Sequence, residues 1–149
     1  MTVPAHPPTA MPDPSRPFEV QLSLSVKTYD IDFAGIVSNI VYIRWLEDLR
    51  IKMIEQTWPI QTQLTANIAP VLSETNIRYQ HPVTLHDELY GRMWMSRLKQ
   101  LKWMVSAEFY VADRLVAIAT QSGCFIDLSH RKPIRVPARI LSDYETWEK

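Results

Sequence analysis

The run Tyr29-Asp-Ile-Asp-Phe-Ala-Gly-Ile-Val-Ser-Asn-Ile-Val-Tyr-Ile-Arg-Trp-Leu-Glu-Asp-Leu-Arg50 joins two aspartates, a glycine turn and the start of a helix in one unbroken segment. Beyond Ser38 the apolar residues Tyr42, Trp45, Leu46, Leu49, Met53 and Ile54 recur at spacings of three and four, the mark of a helix with one buried stripe. Ser38 suits an N-cap and the Trp58-Pro59 step suits a stop. These bounds predict about 19 residues, or roughly 28 Å of helix. Asp32 thus precedes a helix start, where the backbone N–H groups of the first turn lack intrahelical partners and suit a developing oxyanion. The competing reading of Asp32 is an Asx-turn that merely orders the chain's entry into the helix.

Outward from this segment the chain changes character on both sides. Residues 1–17 hold six of the eleven prolines and few large apolar groups, so a flexible tail is expected there. From Phe18 to Lys27 apolar and polar residues alternate strictly, as in a half-buried strand. After the helix a polar link (61–67) leads to four further strand-like segments, over 70–80, 88–98, 101–111 and 115–127. They read as a meander, with turns at His86-Asp87 and Ala112-Asp113. Residues 115–119 are apolar on both faces, which suits a central position in the sheet. A short helix is expected from Ala138 to Trp147. The prediction is an α+β domain over 18–149: a five-stranded antiparallel sheet wrapped around one long central helix, the hotdog fold.

Composition narrows the function. The 149 residues carry 16 basic and 16 acidic side chains, so the basic footprint of a nucleic-acid binder is missing. The apolar runs fall short of the ~18 residues of a membrane span, and the lone Cys124 has no partner for an intrachain disulfide. A cytoplasmic protein without nucleic-acid or membrane partners is expected. The histidines show no metal-ligand spacing, and neither a G-x-S-x-G elbow nor a glycine-rich phosphate loop occurs.

The opening segment resembles the signature of the 4-hydroxybenzoyl-CoA thioesterase family of hotdog proteins, in which D-x-D-x-x-G-x-V is followed by N, Y and an E-x-x-R helix turn. Val71-Leu-Ser-Glu-Thr-Asn-Ile-Arg-Tyr-Gln-His-Pro82, His86-Asp-Glu-Leu89 and Phe125-Ile-Asp127 are similar to later stretches of that family. The resemblance spans about 18–137. It implies hydrolysis of an acyl-CoA thioester, with Asp32 as nucleophile or general base and the Asn39 backbone N–H holding the carbonyl. It further implies that Gly35, Ile36, Val37 and Ser38 approach the substrate, and that the site lies between subunits of a homodimer or homotetramer. Coenzyme A enters as part of the substrate, and no separate cofactor is expected. Two departures stand out: Ser38 replaces a frequent aromatic or His residue, and His86 replaces the glycine before the aspartate.

Other residues read more plainly. Asp30 alternates with Asp32, so the two side chains are expected to point apart. Tyr42 and Trp45 fit the core, while Glu47 and Arg50 fit an ion pair or a subunit contact. Arg97, Lys99 and Lys102 suit the phosphates of coenzyme A, although turn solubility explains them equally well. Trp94 and Trp103 suit an acyl pocket or a contact between layers. Hydrolysis of an acyl-carrier-protein thioester, or acyl binding without catalysis, remain competing readings.

Overall fold

The computed structural model describes residues 11–147. Helix α1 spans Asn39–Thr57 and buries Tyr42, Trp45, Leu46, Leu49 and Met53 of the stripe that its three-and-four spacing predicts; Val41 joins them, while Ile54 is only half-buried. The strands are β1 (Val20–Leu24), β2 (Ile68–Tyr79), β3 (Leu89–Leu98), β4 (Trp103–Val111), β5 (Arg114–Asp127) and a short β6 (Lys132–Ile134). The polar link after α1 contains a one-and-a-half-turn helix, α2 (Ile60–Thr65), and α3 runs from Ala138 to Trp147.

All strand pairs are antiparallel, in the order β1-β3-β4-β5-β2. This corrects the expected meander. Only β3, β4 and β5 follow one another; β2 pairs with β5, because β1 takes the free edge of β3 through Val20↔Met93 to Leu24↔Leu89. The expected five strands also gain a sixth, since β6 pairs with β5 at Phe125–Asp127, past the Gly123 partner at which β4 ends. The central position expected of β5 is met only in part: it lies fourth in the order, between β4 and the edge strand β2.

One face of the sheet wraps α1. Phe109 on β4 meets Tyr42 edge-on at a centroid distance of 5.5 Å, and Gly91 on β3 gives Leu49 room: a Cβ there would lie 3.0 Å from Leu49 Cδ1. Tyr42, Trp45, Leu46, Leu49, Met93 and Phe109 form the centre of a single core. Burying an aromatic or leucine side chain contributes roughly 1.5–3 kcal/mol, so the apolar face of α1 is what holds the layers together. This sheet closed round a long helix is the hotdog fold.

Of the tail expected over 1–17, residues 1–10 lie outside the described residues. Residues 13–17 touch the sheet's outer face and edge: Arg16 pairs with Glu108 at 2.6 Å and covers the Trp94 ring at 3.8 Å, and the Pro17 carbonyl accepts the Met95 N–H at 2.9 Å. The cation and the ring supply contacts that proline content alone does not anticipate. No helix among the described residues is long and apolar enough to cross a membrane.

Candidate active site

Between β1 and α1 the chain turns back on itself. A one-turn 3-10 helix (Thr28–Asp30) leads into an antiparallel bridge of Ile31 with Val37. Around it, Asp32 N–H donates to the Ile36 carbonyl at 2.9 Å and Ser38 N–H to the Asp30 carbonyl at 2.8 Å. The two limbs are joined by a turn in which Gly35 N–H reaches the Asp32 carbonyl at 3.0 Å. Gly35 has φ +79°, and no atom lies within 4 Å of where its Cβ would be. Glycine is needed there for the left-handed backbone rather than for space.

Asp32 caps this turn. Its Oδ1 accepts the Ala34 N–H at 2.8 Å, which is the Asx geometry, and Oδ2 has no hydrogen-bond partner among the described residues. The turn therefore holds the carboxylate by one oxygen and leaves the other free. Asp30 differs: it is 5% exposed, and its Oδ2 accepts the Lys27 N–H at 2.8 Å. The alternation of the two aspartates thus separates a buried backbone clamp from a half-exposed acid.

On the other limb Ser38 occupies the N-cap position with ψ 142°, yet its side chain makes no capping hydrogen bond. Asn39 and Ile40 at the start of α1 are exposed and keep their N–H donors open, whereas the Val41 N–H turns back to the Ser38 carbonyl at 3.0 Å. Ser38 and Ile36 are half-buried, whereas Val37 is 3% exposed, sits in the core and donates its N–H to the Val83 carbonyl at 2.8 Å. Tyr79, which sequence reasoning did not single out, donates its hydroxyl to the Asn39 carbonyl at 3.0 Å. Strand alternation places it on the α1 side of β2, the only signal that could have found it. It packs edge-on against Tyr42 at 5.0 Å; burial pushes the Tyr42 phenol up to about 12 and raises that of Tyr79. Both rings are neutral donors at physiological pH.

The remaining candidates scatter. Arg97, Lys99 and Lys102 line one cavity with Trp103 and Met104. They stand at the Trp103 end of β4, six residues or about 20 Å along the strand from the Phe109 that touches Tyr42, at 3.3 Å per residue. Arg50 does not pair with Glu47. Its guanidinium donates to the Gln121 side-chain carbonyl, and the 1%-exposed Gln121 passes its amide N–H to Thr75 Oγ1 at 3.0 Å. Burial lowers the Arg50 pKa, with the Glu47 charge acting the other way. Trp45 and Tyr42 are core, Trp103 is buried facing α1, and Trp94 lies on the outer face under Arg16. Among the described residues, no three His, Cys, Asp or Glu side chains gather into a metal site.

A carboxylate with one free oxygen and an uncapped helix start, on two limbs of one turn, form an arrangement suited to acyl transfer. Known proteins agree with the fold and the chemistry. The chain is 26% identical over 132 residues to the long-chain acyl-CoA thioesterase FadM of Escherichia coli (strain K12), covering 87% of this chain and all of that one. Its structure is similar to that of YbaW, a probable thioesterase from Escherichia coli, at 25% identity and a TM-score of 0.74, covering 88% and 98% of the two chains. It also shares the fold of a DHNA-CoA thioesterase from Staphylococcus aureus, at 16% identity and a TM-score of 0.76, covering 87% and 88%. The model of the thioesterase-like superfamily matches residues 26–143, the whole span from the end of β1 into α3. The chain belongs to the thioesterase-like superfamily.

Proposed function

We propose that this protein hydrolyses acyl-CoA thioesters to the free acid and coenzyme A. The observation that carries the reading is the Asp32–Asn39 segment, where one carboxylate oxygen is held by Ala34 N–H while the α1 start opposite it lacks a cap. The Asn39 N–H donates to the thioester carbonyl oxygen and stabilises the oxyanion as it forms. Asp32 Oδ2 either attacks the carbonyl carbon, giving an anhydride that water then hydrolyses, or takes a proton from the attacking water; in both the C–S bond breaks and the sulfur leaves as the thiolate of coenzyme A. The Tyr79 hydroxyl, bonded to the Asn39 carbonyl, steadies the peptide unit next to the working N–H.

The reading extends to a homodimer. Strand β2 ends the sheet with an unpaired edge, and α1 exposes Ile40, Ile43 and Ile51 beside it. An open edge next to apolar surface calls for a partner. A second copy also answers the placement of Arg97, Lys99 and Lys102 at the Trp103 end of β4, about 20 Å along the strand from the Phe109 that meets Tyr42. In this reading one subunit supplies the carboxylate and the other grips the phosphates, and Cys124 has no disulfide role in a reducing cytoplasm.

Steady-state release of free thiol from acyl-CoA and aryl-CoA esters tests the proposal. Wild type is expected to cleave at least one class, and Asp32→Asn to lose that activity while keeping its melting temperature. A folded Asp32→Asn enzyme at full rate would remove Asp32 from the mechanism. Faster use of an acyl-carrier-protein thioester than of the matching CoA ester would move the substrate to the carrier.

A further inference from the structure

A cavity of about 220 Å³ lies between the second half of α1 and the sheet, separate from the Asp32 turn. Its walls include Met53, Ile54, Leu72, Trp103, Val105 and Phe125. Trp103 is set by two contacts: its indole N–H donates to the Cys124 carbonyl at 3.1 Å, and its ring lies so near Gly123 that a Cβ there would come within 2.6 Å of it. The polar groups of the inner wall are already partnered, and Glu47 stands exposed at the mouth. Arg50 is spent on Gln121, and the Gln63 side chain donates to the Trp58 carbonyl at 2.7 Å. The interior therefore asks for no hydrogen bond from a ligand.

Its position along α1 sets a length. The cavity begins at Glu47, eight residues after Asn39, which is about 12 Å at 1.5 Å per residue. Ile40, Ile43 and Ile51 are exposed along the same side of the helix, with the exposed Glu47 between Ile43 and Ile51 at the cavity mouth. An extended chain advances ~1.2 Å per bond, taking three bonds per 3.6 Å residue, so about ten bonds are needed to reach the mouth. At ~30 Å³ for a methylene-sized group, comparable to a water in the liquid, 220 Å³ holds about seven more.

We propose that this cavity receives the distal end of a long unbranched acyl chain whose thioester carbonyl sits at the Asn39 N–H, making the substrates long aliphatic rather than short or aromatic acyl groups. The proposal rests on the thioesterase reading above for its catalytic arm, while the cavity is tested separately by binding. Acyl groups of up to about ten bonds stop short of the cavity and gain nothing from it. Each methylene beyond that strengthens binding roughly fourfold, until the cavity is full.

The test compares kcat/KM for octanoyl-, dodecanoyl-, palmitoyl- and benzoyl-CoA, below the micelle concentration, in wild type, Leu72→Trp and Ile54→Trp. The palmitoyl to octanoyl ratio is expected to exceed tenfold in wild type and to fall at least tenfold in each variant, because an indole fills the space the tail needs. In parallel, the fluorescence of cis-parinaric acid is titrated with the same three proteins; tight binding by wild type and a tenfold weakening in the variants are expected. A wild type that cleaves octanoyl- or benzoyl-CoA best and ignores parinaric acid overturns the cavity assignment and leaves the thioesterase reading standing. A protein that cleaves no ester yet binds parinaric acid, and loses it in Leu72→Trp, upholds the cavity and overturns the thioesterase reading. Ratios and affinities unmoved by both tryptophans would sink the cavity assignment.

Discussion

The two ends of α1 are built to opposite specifications. At its start, Ser38 makes no capping bond, Asn39 and Ile40 are exposed, and Asp32 keeps a free carboxylate oxygen nearby. At its end, the Trp58 N–H reaches the Ile54 carbonyl at 2.8 Å, the Trp58 carbonyl accepts the Gln63 side chain, and the Trp58 ring packs against Phe125. One helix thus has a terminus whose polar groups wait for a partner and a terminus whose polar groups have found one. Leaving the first unpartnered costs stability that the core elsewhere must offset, and in return it presents preset donors where charge develops in the reaction.

Breaking the open end should cost activity and little stability. Asp32→Asn removes the nucleophile or base, so kcat should drop by about a thousandfold, measured by thiol release, with the thermal midpoint within a few degrees of wild type. Next in size is Asn39→Pro. Proline is favoured at the first helical position, and the extended Ser38 before it is compatible, so the helix should persist while its first N–H donor is gone. A loss of roughly 3 to 4 kcal/mol in transition-state stabilisation is expected, read as a fall in kcat of a few hundredfold; an unchanged kcat would place the oxyanion elsewhere.

Breaking the closed end should do the reverse. Gln63→Leu strands the buried Trp58 carbonyl, so urea unfolding should show a loss of about 1–3 kcal/mol with kcat per folded molecule unchanged. The smallest effect comes from pH. Burial pushes Tyr42 up to about 12, and burial with the Glu108 hydrogen bond does the same for Tyr110, while both titrate near 10 in the unfolded chain. Between those values the folded state holds more protons than the unfolded one, so stability falls as pH rises. The midpoint should be flat through pH 9 and decline between about 10 and 12; Tyr42→Phe should make that decline shallower.

Much of the scaffold was legible because it depends on local periodicity. Alternation from Phe18 located β1, the three-and-four spacing located α1, and Ser38 and the Trp58-Pro59 step marked its start and end. The candidate acid was legible through its position before a helix start and through family resemblance. Other features depend on what lies across space. That β2 would skip β3 and pair with β5 follows from β1 having taken β3's edge, which is invisible in either strand alone. The short α2 was hidden in a polar stretch, and β6 in a proline-marked one. Arg50 looked like Glu47's partner or a subunit contact, but its half-buried guanidinium is satisfied by Gln121, 71 residues away.

By itself, then, the amino-acid sequence determined the longer elements, the amphipathic face of α1 and which carboxylates stand before it, because propensity and hydrophobic period act over a few neighbouring residues. Only the tertiary structure decided which strand edges meet, that Asp30 is clamped while Asp32 keeps an oxygen free, that Tyr79 reaches Asn39, and that Trp103 walls a cavity at a set distance from it. Those outcomes depend on packing and on the obligation of every buried polar group to find a partner, and both are properties of the closed chain rather than of any stretch of it.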